Sequence, residues 1–127
     1  MGRSVRHIQH LKKKAFAKLL LTPIPLTIPF ADVSVVHEHL PPKSELPSVM
    51  HNVTSELVYC LSGTLFLTMG KKRYTLKKGS VVTIPPKTWH AFITKKTQSE
   101  ALSIFYPALS WDDKPDVETR MKATRIE

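Results

Sequence analysis

HNVTSELVYCLSG, residues 51–63, sets a histidine and a glutamate at the head of an apolar run that stops at a glycine. Side chains in a strand alternate between faces, so Glu56 shares one face with Val58 and Cys60, while Leu57 and Tyr59 take the other. A carboxylate on an apolar face is costly unless it is paired or bound to a cation. A second stretch, GSVVTIPPKTWH at residues 79–90, ends on a histidine after an apolar strand and a proline pair. His90 then shares its face with Phe92. His51, Glu56 and His90 are therefore candidate metal ligands carried by strand-rich sequence, and folding has to bring them together. Two imidazoles and a carboxylate suit a first-row transition metal.

Outward from these stretches the texture is strand and turn. Strands are expected at 33–40, 49–53, 56–61, 64–69, 73–76, 81–84, 90–94 and 101–106, with an edge strand at 27–30. Residues 81–84 read as a short buried strand, and Gly70-Lys71-Lys72 as a hairpin turn. Many short strands between Gly and Pro turns argue for a sandwich or a barrel. Ahead of them, Val5, Ile8, Leu11, Ala15, Phe16, Leu19 and Leu20 recur at helical spacing, which predicts a short helix within residues 3–21, ended by Pro23. The segment after Pro107, with Trp111, reads as a tail that wraps the barrel or packs on a partner. The organisation expected is a basic N-terminal segment over 1–25, a barrel over 26–107 and a C-terminal tail over 108–127.

Composition bounds the function. The chain has 127 residues, enough for one domain with one core. Cys60 stands alone, which excludes an internal disulfide framework and points to a reducing, cytoplasmic setting. No apolar run is long enough for a membrane span, and prolines interrupt the apolar part of the N-terminus where a secretory signal would need continuity. Nineteen basic residues against ten acidic ones leave a net charge of +9. The lysines cluster at turns and strand edges, where they guard against edge-to-edge aggregation. No aromatic-interleaved basic motif accompanies them, so nucleic acid is not the expected partner. No G-x-S-x-G elbow and no phosphate-cradling glycine loop occurs.

The two quoted stretches resemble the paired motifs of the cupin family. The first motif runs Gly…His-x-His…Glu…Gly. Here Glu56 and Gly63 match with six residues between them, His51 stands at the second histidine, Val49 at the first, and Lys43 at the leading glycine. The second motif runs Gly…Pro-x-Gly-x-x-His…Asn. Gly79, Pro85 and His90 match, Lys87 replaces the second glycine and Thr94 the asparagine. The resemblance covers roughly residues 30 to 107. It implies an all-β double-stranded β-helix, or jelly-roll barrel, with a short N-terminal helical or extended segment, commonly as a homodimer. It also implies a divalent transition metal, Fe, Mn, Ni, Cu or Zn, held here by His51, Glu56 and His90. Val49 removes one ligand of the family set and leaves a two-His, one-carboxylate triad, which suits non-haem Fe(II).

Two functions follow as expectations. One is a small metal-dependent cupin enzyme of oxygenase, decarboxylase or isomerase type, acting on a small anionic or sugar-like molecule, with Tyr74, Trp89 or Phe92 lining the pocket. The alternative is a non-catalytic cupin that binds a small ligand as a sensor or binding module. His37 and His39 share a strand face at ligand spacing and read as polar residues of a sheet face or the barrel mouth, or as a substitute ligand. Cys60 reads as a small buried apolar residue.

Overall fold

Period-two burial runs along residues 55–60, 64–68, 90–93 and 99–106 and sets which face of these strands meets the core. The computed structural model describes residues 6–26, 32–109 and 116–120. Among them a single 3-10 turn, Ile8–His10, precedes ten strands: β1 (Lys14–Phe16), β2 (Leu19–Ile24), β3 (Ser34–Leu40), β4 (Val49–Met50), β5 (Ser55–Met69), β6 (Lys72–Lys77), β7 (Val81–Ile84), β8 (His90–Ile93), β9 (Ser99–Tyr106) and β10 (Glu118–Thr119). All pairings are antiparallel. One sheet runs β1-β2-β3-β9-β5-β7. The other runs β10-β4-β8-β5-β6. The two sheets curl over one another as the jelly roll that the motifs imply, and Leu40, Val58, Leu65, Leu67, Ile84 and Phe92 belong to the core cluster.

The strand β5 belongs to both sheets. Its first half pairs with β7 and β9, and its second half with β6 and β8. The change of sheet falls at a bulge between Cys60 and Ser62. Gly63 closes this corner with φ +72, and a Cβ built there would stand 1.9 Å from the Gln98 carbonyl oxygen. The sequence separates 56–61 from 64–69 at this glycine; the chain instead runs through as one bent strand, because a bulge and a turn ask for the same residue.

Three expectations change. The helix within 3–21 gives way to β1 and β2, since pairing of β2 with β3 from Leu20↔His39 to Ile24↔Val35 outweighs a weak helical period. The strand β7 is not buried throughout: Val81 is 58% exposed, Val82 is half-buried against the core and Ile84 alone is fully buried. Tyr74 lies on the largely exposed β6, and Trp89 stacks under Arg120 at 3.9 Å; of the three aromatics, Phe92 alone lines the cavity. The expected strand at 27–30 and Trp111 lie outside the described residues. No helix among the described residues is long and apolar enough to cross a membrane.

Candidate metal centre

Glu56 rides the first half of β5, inward with Val58 and Cys60 as alternation requires, and is buried. His90 opens β8 directly opposite Val49 of β4. His51 follows β4 by one residue. Both sheets thus contribute, and the three residues the sequence singled out come together: one ligand atom from each lies within 4.8 Å of the others. That is close to the span of two metal–ligand bonds of about 2.1 Å. His51 Nε2 is 3.5 Å and His90 Nε2 is 3.3 Å from Glu56 Oε1. All three are nearly inaccessible, at 6%, 1% and 3% exposure for His51, His90 and Glu56.

Backbone carbonyls decide how the imidazoles present themselves. His90 Nδ1 lies 2.9 Å from the Thr88 carbonyl, and His51 Nδ1 meets the Asp116 carbonyl. A carbonyl oxygen only accepts, so each Nδ1 carries the proton and each neutral ring turns a bare Nε2 to Glu56. Two lone pairs then face a carboxylate oxygen, an arrangement that needs a proton or a cation among them. Without a metal the proton serves. Burial lowers the basicity of His51, but the hydrogen bonds to Glu56 and the Asp116 carbonyl reverse it and hold its pKa above the usual value. Burial pushes Glu56 up, and hydrogen bonds and charge from His51 and His90 overcome this and bring it down to about 2.

Asp116 secures the loop that carries His51. Its carboxylate accepts the backbone N–H groups of Asn52, Val53 and Thr54 at 2.9, 2.7 and 3.0 Å. Desolvation raises its pKa, and the N–H donors together more than reverse that, to about 2. Thr94, at the family's asparagine position, ties down another loop: its hydroxyl donates to the Pro41 carbonyl and accepts the Ser44 N–H.

A cavity of about 320 Å³ opens beside the three candidate ligands. Val49 forms part of its wall with Leu21, Val36, Leu46, Phe92 and Phe105, and its polar or charged lining residues are Lys14, Glu38, His51, Glu56 and His90. His37 and His39 do not enter it. His37 Nε2 pairs with Glu100 at 2.9 Å on the other face of β3. The residue the sequence reading passed over is the one between them. Glu38 shares its face with Val36 and Leu40, and that alternation was the available signal. Glu38 is one of the cavity's lining residues, and burial first and the charge of Glu56 second raise its pKa to about 8, against the lowering effect of Ser103.

The comparisons agree with this architecture. The family model described as a cupin domain matches residues 36–105, more than half of the chain. Among solved structures, the polyketide cyclase RemF from Streptomyces resistomycificus superposes with TM-score 0.76 at 17% identity, over 98% of this chain and 89% of that one. A predicted oxalate decarboxylase from Thermotoga maritima gives 0.71 at 16%, over 80% and 96%. A cupin 2 conserved barrel protein from Salinispora arenicola also gives 0.71 at 16%, over 84% and 90%. No curated protein matches in sequence. With the family's motif positions filled as described and its barrel in place around them, the chain belongs to the cupin family.

Proposed function

We propose that this cupin holds one divalent transition metal ion, Fe, Mn, Ni, Cu or Zn, on His51, Glu56 and His90, and uses the adjoining cavity for a small molecule. The observation that carries the reading is the pair of Nδ1–H bonds to the Thr88 and Asp116 carbonyls, which leaves both Nε2 atoms directed at one carboxylate oxygen. Such outer hydrogen bonds orient metal-ligating histidines and strengthen their basicity. A bound ion would act there as a Lewis acid or a redox centre, the chemistry of oxygenases, decarboxylases and isomerases. The chain's own residues would keep water out with Val49, Leu46 and Phe92, and orient the molecule against the ligand set.

The lining narrows the expected ligand. A polyol would leave hydroxyls unpartnered against Leu21, Val36 and Phe105, at a cost for each. A largely apolar body with one polar or anionic group, the latter toward Lys14, fits better than a sugar. A non-catalytic binding barrel is the second reading, and Val49 favours it, because an apolar wall stands where the family carries a histidine. A second copy of the chain is the expected partner of the barrel.

Elemental mass spectrometry of untagged protein purified without chelator tests the metal. Near-stoichiometric metal, lost in His51→Ala, Glu56→Gln and His90→Ala, is expected. Absence of metal after incubation with each of the five ions would sink the reading. Turnover that disappears with the metal separates an enzyme from a binding barrel, in which ligand-induced thermal stabilisation survives some of those substitutions.

A further inference from the structure

The cavity wall holds a carboxyl that the metal centre does not use. Glu38 lies on β3 opposite Ala101 of β9. The small alanine lets the carboxyl reach along the sheet to Ser103. Ser103 Oγ is 2.5 Å from Glu38 Oε1 and 2.9 Å from Glu56 Oε2. A serine hydroxyl owns one proton and donates to one of these oxygens only. The other contact is a hydrogen bond only if a carboxyl supplies the proton. Glu56 already faces the two imidazoles, so the supplier is Glu38: its O–H donates to Ser103, and Ser103 donates to Glu56. No hydrogen bond from the described residues reaches its remaining oxygen, and Glu38 is one of the residues that line the cavity. The titratable neighbours sharing this space are Glu56 from β5, His51 and His90 of the ligand set, and Lys14 from β1. Enclosure by protein and the charge of Glu56 both favour the neutral acid.

We propose that Glu38 is the recognition residue of the cavity: anchored through Ser103, it accepts on its second oxygen a hydrogen bond from a hydroxyl group, phenolic or enolic, on an otherwise apolar small molecule. The assignment rests on the cavity being the ligand site, and does not require the metal centre to be filled. The apolar lining takes the body of the molecule, and the second oxygen of Glu38 selects a donor. An ether or a hydrocarbon of the same shape leaves that acceptor unpaired and loses affinity.

The test compares 2-naphthol with 2-methoxynaphthalene, which has the same ring system and no donor, by fluorescence titration of the full chain as purified and after chelation. The chelated wild type is expected to bind 2-naphthol roughly tenfold more tightly, the worth of one hydrogen bond in a dry site. Glu38→Gln keeps the preference, since its amide can donate to Ser103 and offer a carbonyl to the cavity. Glu38→Leu abolishes it while still binding 2-methoxynaphthalene. Equal affinities in the wild type, failure to bind either probe, a preference that survives Glu38→Leu, or one that is lost in Glu38→Gln would each overturn the assignment. Should Glu38→Leu fail to fold, the wild-type and Glu38→Gln arms still decide. Metal content of unchelated samples incubated with each of the five ions keeps the two readings apart: a preference in protein that takes up none of them supports Glu38 and sinks the metal centre, and metal uptake without a preference does the reverse.

Discussion

Lys43 and Lys87 stand where the family motifs call for glycine, and both keep the glycine conformation, with φ of 59° and 61°. Left-handed backbone is strained for a residue with a Cβ, by about 1–2 kcal/mol. The strain is held in place by neighbours: Lys87 N–H donates to the His51 carbonyl at 2.6 Å, and Lys43 N–H to the Lys95 carbonyl at 2.8 Å. The two substitutions therefore leave the backbone path to His51 and His90 unaltered. Lys87→Gly should relieve the strain at some entropic cost and stabilise the protein by roughly 1 kcal/mol. Urea denaturation of wild type and variant checks this, and a destabilised Lys87→Gly would mean that the lysine side chain holds the loop in some other way. Among side chains, the clustering of His51, Glu56 and His90 was readable because the three keep motif spacing. Glu38 was not, because it stands between two histidines at ligand spacing and only the apolar company of Val36 and Leu40 marks it as inward-facing.

At the scale of elements, the sheet assignments followed from alternation and turn residues, and they held wherever a strand has one wet and one dry face. They failed where partners decide. The segments β1 and β2 are strands because β3 lies beside them, a contact no local pattern displays. The segment around β10 is the other such case in its form: a tail wrapping the barrel or packing on a partner was expected there, and it adds a strand. Residues 116–120 return to the barrel so that Glu118 and Thr119 pair with Met50 and Val49, and Asp116 holds both the 52–54 backbone and the His51 ring. Nothing in its composition announces this task. Asp116→Ala should leave three N–H groups without their acceptor and cost about 1–3 kcal/mol in a thermal or urea unfolding measurement. Because the His51 ring leans on the same residue's carbonyl, metal affinity should fall with it, by roughly tenfold or more. Unchanged stability and affinity would show that the strap is a bystander.

For the whole molecule, the titrating groups in and around the site set how stability varies with pH. Glu56 and Asp116, both held near 2 in the fold, contribute stability that is present above the ordinary carboxylate range and lost as pH falls through about 2. Glu38 works the other way. Its folded value of about 8 lies above the ordinary 4.5, so the folded protein keeps a proton that the unfolded chain gives up, and its contribution is lost as pH rises from about 4.5 through about 8. His51, raised above 6.5, loses its contribution over the neutral side in the same sense. Chelated protein should accordingly be most stable on the mildly acidic side, and should weaken toward pH 8 by an amount on the order of a few kcal/mol. Glu38→Gln has no proton to lose there, so its stability should fall much less between pH 5 and pH 8 than that of the wild type. Parallel curves for the two proteins in urea titrations at those pH values would mean that Glu38 is ionised in the fold, and that the proton in the Glu38–Ser103–Glu56 chain belongs elsewhere.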